Sequence, residues 1–125
     1  TALFGDLTVR GWAGAGGSNS TRGINYGRAN PATSGTANET IDYITTATIG
    51  NWTDFGNCNV ASYFNGGTNS STRMVKCGGI TEGPNTITDS MEYVTIGSTG
   101  NGTDFGNLVV EMFLMELEEF LEEAQ

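Results

Sequence analysis

The chain repeats itself. Phe4-Gly5-Asp6-Leu7-Thr8-Val9 returns as Phe55-Gly56-Asn57-Cys58-Asn59-Val60, and again as Phe105-Gly106-Asn107-Leu108-Val109-Val110. Ser20-Thr21-Arg22 returns as Ser71-Thr72-Arg73, and Ile41-Asp42-Tyr43-Ile44-Thr45 as Met91-Glu92-Tyr93-Val94-Thr95. Gly50-Asn51-Trp52-Thr53-Asp54-Phe55 matches Gly100-Asn101-Gly102-Thr103-Asp104-Phe105. The offset is 51 residues early in the repeat and 50 late, so one residue is lost in a loop between. A duplication at this period requires each copy to form the same supersecondary unit, and requires the units to cover one another. The chain divides accordingly into 1–110, holding repeats at about 4–54 and 55–104 with the start of a third at 105–110, and a tail at 111–125.

Each copy reads as four short strands separated by turn chemistry. In the second copy these are residues 59–65, 73–77, 90–98 and 103–109. Between them lie Gly66-Gly67-Thr68-Asn69, Glu82-Gly83-Pro84-Asn85 and Thr99-Gly100-Asn101-Gly102, all rich in residues that tolerate turn geometry. Four antiparallel strands per fifty-residue repeat is the pattern of a β-propeller blade. In residues 41–49 neither face is strongly polar: Ile41, Tyr43 and Ile49 alternate with Asp42, Ile44 and Thr46. A sheet with one wet face alternates more cleanly, so both faces are expected to be covered. The expected class is all-β, two four-stranded blades per chain. A two-sheet sandwich also buries its strands, but offers no reason for the repeat.

The Gly78-Gly79 pair, Tyr43 and Tyr93, and Trp52 nine residues after Tyr43 together resemble a loose kelch repeat. The tract Ile-Asp-Tyr-Ile-Thr followed by Gly-Asn-x-Thr-Asp-Phe-Gly more closely resembles repeats of large virion and tail-associated proteins of marine cyanophages, which are similar to kelch blades. The resemblance covers residues 4–110 and implies a viral structural or adhesion role, in a virion or outside cells. It departs from the kelch pattern where Gly27-Arg28 replaces the glycine pair and Gly102 replaces the tryptophan. The tail has no counterpart in it.

Propellers close with about four to eight blades, so two blades need companions. A homo-oligomer is expected, three chains ahead of four, with other virion proteins or host-surface glycans as further partners. Residues 2–9 duplicate the passage from one blade's outer strand into the next. They are expected to complete a strand or close a junction with a neighbouring subunit.

After Val110 the apolar period changes from two to about 3.6. Val110, Phe113, Leu114, Leu117, Phe120 and Leu121 form a wide stripe opposite glutamates, an amphipathic helix. About 21 Å long at helical rise, it is too short to be stable alone. The stripe packs on the chain's own sheets, bundles with other copies, or docks into a partner; as a bundle it would be the oligomerisation face.

Chemistry is sparse. There is no histidine, which removes the commonest general base, the usual triads and the ligands of kelch-type copper oxidases. Asp42/Glu92 and Asp54/Asp104 recur at matched positions, which points to a structural part in every repeat rather than catalysis. No enzyme activity, cofactor or metal is expected. Of the net charge of −9, six acids lie in the last fifteen residues, and the five basic residues are spread thinly. Nucleic-acid binding is therefore not expected. No apolar run is long enough to span a membrane, and no signal-peptide pattern occurs. Cys58 and Cys77 read as small core residues or as a disulfide between neighbouring strands. Five Asn-x-Ser/Thr sequons begin at Asn19, Asn38, Asn51, Asn69 and Asn101. The main functional rival is glycan binding, with Trp12, Tyr26 and Tyr63 as stacking residues, although Trp12 and Tyr63 are repeat-matched, which favours core packing for them.

Overall fold

The computed structural model of the chain describes residues 2–33, 36–81 and 86–109. The fold is all-β. Strands β1 (Ala15–Ser18), β2 (Arg22–Tyr26), β3 (Arg28–Asn30), β4 (Thr36–Asn38), β5 (Thr40–Thr45) and β6 (Thr53–Asn57) belong to the first repeat. Strands β7 (Gly66–Asn69), β8 (Arg73–Cys77), β9 (Ser90–Thr95) and β10 (Thr103–Asn107) belong to the second. They form two four-stranded antiparallel sheets, in the orders β1-β2-β5-β6 and β7-β8-β9-β10, and a small β3-β4 hairpin. The tail helix expected at 111–125, with its apolar stripe from Val110 to Leu121, lies outside the described residues.

The hairpins of the two sheets are built alike because the same positions carry the turn. Asn19 Oδ1 accepts the N–H groups of Thr21 and Arg22 between β1 and β2. Ser70 Oγ accepts those of Thr72 and Arg73 between β7 and β8. A short polar side chain closing a backbone turn is what Asn and Ser do best. Strand composition then follows: β5 and β9 read Thr-Ile-Asp-Tyr-Ile-Thr and Ser-Met-Glu-Tyr-Val-Thr, rich in β-branched and aromatic residues, and each is an inner strand of its own sheet.

One strand lies elsewhere than the sequence suggests. Residues 59–65 contribute only a bridge at Tyr63, whereas Gly66–Asn69, which reads as a turn, is the first strand of its sheet. Glycine serves there for close approach. A Cβ on Gly67 would lie 1.9 Å from the Tyr26 hydroxyl, so the first sheet can rest on β7 only if β7 has no side chain at that point.

The two sheets stack with unlike faces together. In the first sheet, Ile24 and Tyr43 are paired on one face, and Gly23 and Ile44 on the other. In the second sheet, Val75 and Tyr93 match the former pair, and Met74 and Val94 the latter. The main core joins Ile24, Tyr26, Ile41 and Phe55 of the first sheet to Met74, Val94 and Ile96 of the second. The Ile24 face of repeat one thus packs on the Met74 face of repeat two. Burying each large apolar side chain contributes about 1.5–3 kcal/mol, which makes this seam the main source of cohesion. Polar contacts fix its register: Asn69 Nδ2 donates to Ser18 O at 2.7 Å, joining β1 to β7, and Arg22 Nη1 donates to Ile96 O at 3.0 Å. A second, smaller core of Ala29, Ala37, Tyr63 and Ile80 lies under the β3-β4 hairpin.

The expectation that both faces of the third strand are covered holds for Ile41, Asp42 and Ile44, all buried, while Ile49 projects into solvent beyond the end of β5.

Candidate functional site

Each sheet holds one buried carboxylate on the face opposite its tyrosine. Asp42 and Glu92 occupy matched positions, and each meets a buried cation: Arg28 Nη2 stands 3.0 Å from Asp42 Oδ2, and Lys76 Nζ 3.5 Å from Glu92 Oε2. Each also accepts backbone N–H groups from the segment that enters its repeat. Thr8 N donates to Asp42 at 3.2 Å, and Asn59 N and Val60 N donate to Glu92 at 3.0 Å each.

The cations come from different positions. Lys76 lies on β8 directly opposite Glu92, where the first repeat has Asn25 opposite Asp42. Arg28 reaches in from β3 and donates through Nη1 to Asn25 Oδ1 at 2.7 Å, so a neutral residue and a distant guanidinium replace one lysine. The Arg28–Asp42 contact is an ion pair rather than an aligned hydrogen bond, since Nη2 and Nε lack hydrogen-bond partners among the protein atoms. A buried charge must be paired and hydrogen-bonded, and these carboxylates are held by both means. They tie each incoming chain segment to its sheet. Glu92 and Lys76 border a void of only about 10 Å³ with Tyr26, Cys58 and Met74.

Asp54 and Asp104 lie in β6 and β10, not in turns, and are exposed. Asp104 Oδ1 does accept the N–H of Gly106 at 3.2 Å, at a register break in β10. Cys58 is buried in the main core, Cys77 is half-buried, and both are free thiols. Burial pushes the Cys58 thiol up to about 12 and raises that of Cys77, which leaves neither as a nucleophile near neutrality.

The glycan-stacking triad does not assemble as expected. Tyr26 is fully buried under Gly67, and Tyr63 is buried in the smaller core, so neither offers a ring face to a sugar. Desolvation raises the Tyr26 phenol, whose oxygen has no protein partner. Trp12 alone remains open, at 46% exposure, leaning on Tyr63 and Phe64 at 5.7 and 5.8 Å between ring centroids. An open trough of about 230 Å³ lined by Phe55, Tyr93, Thr95, Ser98, Asn101 and Thr103 carries no carboxylate, thiol or amine. Among the described residues no cluster of histidine, cysteine, aspartate or glutamate could hold a metal ion, and no helix is long and apolar enough to cross a membrane.

The sequon asparagines have local work. Asn51 Oδ1 accepts the N–H of Asp6, and Asn101 Oδ1 that of Asn57, at 3.0 Å each. Asn19 and Asn38 close turns, and Asn69 bridges the sheets.

What remains is a surface. The face of repeat two that matches the buried face of repeat one carries Arg73, Val75, Tyr93 and Phe105. Arg73 stacks over Tyr93 at 4.3 Å, as Arg22 does over Tyr43 at 4.5 Å. Phe105 meets Tyr93 edge-on at 6.0 Å, as Phe55 meets Tyr43 at 5.9 Å. Yet Phe55 is 3% exposed and Phe105 50%. No protein-family model matches the chain, and no curated protein does. The open face is therefore read on its own chemistry. The duplicated Arg-Tyr-Phe stack is legible in the sequence as Arg22/Arg73, Tyr43/Tyr93 and Phe55/Phe105, but the same residues in both copies do not say which copy is covered.

Proposed function

We propose that the chain is a non-enzymatic structural or adhesion module, and that its two repeats are blades of a β-propeller completed by further copies. The observation that carries this reading is the packing of unlike faces. A sealed sandwich of two related sheets would set like face on like face and leave nothing to propagate. Stacking the Ile24 face on the Met74 face leaves the Val75 face of repeat two and the Gly23–Ile44 face of repeat one, where Asp42 and Ile44 are already buried within the chain, at the two ends; a heterologous contact between them forms a ring if its rotation closes. The meander order of both sheets and the adjacency of β1 and β7 fit blades whose first strands line an axis.

Three chains would give six blades and four would give eight, with three favoured. A phage virion is the setting we favour, on the resemblance of the repeats alone. The lack of any histidine and the internal use of Asp42 and Glu92 support the non-enzymatic reading. A glycan-binding propeller is the second reading, and exposed Trp12 is what favours it.

Native mass spectrometry at micromolar concentration tests the first. Masses of three or four chains are expected, and a folded single chain at all concentrations overturns the ring. A glycan array tests the second: binding lost on Trp12→Ala in a folded protein would replace adhesion by scaffold contact with sugar recognition.

A further inference from the structure

The chain contains the Phe-Gly-Asx segment three times, and among the described residues two loops receive it. Residues 55–57 sit on loop 100–102. Gly100 N donates to Phe55 O and Gly102 N to Asn57 O, each at 2.8 Å, and Asn57 N donates back to Asn101 Oδ1 at 3.0 Å. Residues 4–6 sit on loop 50–52 by the same three bonds: Gly50 N to Phe4 O at 3.0 Å, Trp52 N to Asp6 O at 2.9 Å, and Asp6 N to Asn51 Oδ1 at 3.0 Å. The fit demands a central glycine, since a Cβ on Gly5 would lie 2.0 Å from Gly50 O and one on Gly56 2.2 Å from Gly100 O. Among the described residues the third copy, 105–107, has no such loop against it: a Cβ on Gly106 would meet none of their atoms nearer than Met91 Cε at 3.8 Å.

The first segment was expected to complete a strand or join a neighbouring subunit. It bonds to its own repeat instead, and residues 2–10 form no strand. Phe4, at 40% exposure, has no sheet of its own behind it, unlike Phe55.

We propose that residues 4–6 stand in for residues 105–107 of a second copy of this chain, and that copies join by exchanging one for the other on loop 50–52. This rests on the ring reading above and adds how a junction is opened. The exchange conserves hydrogen bonds, because both segments present the same carbonyls and N–H to the loop. What it adds is burial: residues 105–107 arrive with Tyr93 and Val75 behind them, whereas residues 4–6 arrive alone. Apolar burial without net hydrogen-bond loss drives the exchange forward.

The occupant is argued from the seam within the chain. An Ile24-type face is covered there by a Met74-type face, and the second copy's first sheet supplies the Met74-type face that repeat two lacks. The open face carries Val75 and Cys77 where the buried one carries Ile24 and Tyr26, and on the receiving sheet Trp52 reaches over Gly23, the two standing where the counterpart has Gly102 and Met74. Arg22 donates to Ile96 O within the chain. By the same register, Arg73 of one copy donates to Thr46 O of the next.

The test is the solution mass of the full chain against concentration, for wild type, Gly5→Ala, Phe105→Asp and the double variant. Gly5→Ala unseats residues 4–6 and is expected to raise the association constant at least tenfold. Phe105→Asp, at an exposed position, is expected to return the protein to single-chain mass, alone or with Gly5→Ala. Deleting residues 2–6 must reproduce Gly5→Ala, with circular dichroism unchanged in both. A peptide of residues 1–9 in excess should lower the mass of the deletion variant.

If Phe105→Asp dissociates the copies but Gly5→Ala and the deletion leave association unchanged or weaker, the exchange is overturned while the ring stands. If wild type and both unseated variants remain single chains at every concentration, the ring reading falls with it.

Discussion

Phe55 and Phe105 occupy equivalent positions, each edge-on to its own repeat's tyrosine and each followed by glycine and asparagine, yet one is 3% exposed and the other 50%. The difference lies in what each faces. Phe55 looks onto Met74 and Val94, and Phe105 looks out of the described fold. Identical local sequence therefore gives identical local geometry, and the worth of a side chain is set by the next sheet. Repeat one is a four-stranded sheet with a neighbour on that face, and repeat two is the matching sheet with that face open among the described residues.

The sharpest way to break the comparison is to truncate both rings. Phe55→Ala should destabilise the chain by about 4 kcal/mol, since it empties a position in the main core. Phe105→Ala should cost less than about 1 kcal/mol in urea unfolding of the single chain. Equal losses would mean that Phe105 is already covered in solution, and the mass measurement would then say by what.

The two buried ion pairs give the next largest effect. Lys76→Met leaves Glu92 without its cation and strips donors from Val60 O and Ser62 Oγ, a loss of about 3 kcal/mol by urea unfolding. The corresponding position in repeat one is Asn25, which holds Arg28 rather than Asp42. Asn25→Leu should cost about 2 kcal/mol, the share of one hydrogen bond to a buried charge that retains its ion-pair partner. A larger loss for Asn25→Leu would show that the guanidinium cannot hold its place without the amide.

The seam itself can be probed at its closest approach. Gly67→Ala should cost about 2 kcal/mol, because the new methyl meets the Tyr26 hydroxyl. Tyr26→Phe should cost nothing, since that hydroxyl is buried without a protein partner, and combined with Gly67→Ala it should recover most of the loss. A double variant as unstable as Gly67→Ala alone would place the obstruction in the β7 backbone.

These contrasts also mark what the sequence could reveal. The duplication and the all-β class were legible because turn residues and tyrosines recur at fixed spacing; four strands per copy holds for each main sheet, but repeat one adds the β3-β4 hairpin, which no repeat position signals. The strand at Gly66–Asn69 was not, because a glycine chosen for close approach looks identical to one chosen for a turn until its neighbour is known. Tyr63 was legible as a core ring from its repeat match, but Trp12, matched in the same way, is 46% exposed and Tyr26 is fully buried, because in a chain where both faces of a sheet are covered alternation does not say which rings reach solvent. The compensation of Lys76 by Asn25 with Arg28 was likewise invisible, since the two cations hold unmatched positions.

Cys58 and its counterparts Leu7 and Leu108 give the smallest and most specific comparison. The thiol is buried between the sheets, and desolvation raises its proton affinity from about 9 to about 12, with Lys76 opposing and Glu92 adding to the shift. The unfolded chain loses this proton from about pH 9 upward while the folded chain keeps it. The contribution is therefore fully present below pH 9 and lost as pH rises towards 12. At pH 10 the loss should be about 1.4 kcal/mol from this group, before Tyr26, raised in the same direction, adds its own above that pH. Cys58→Val, which restores an aliphatic residue of the kind the other repeats carry, should flatten the decline between pH 8.5 and 10 in urea titrations. An unchanged slope would mean that water reaches the seam between the two sheets and that Cys58 is not sealed by it.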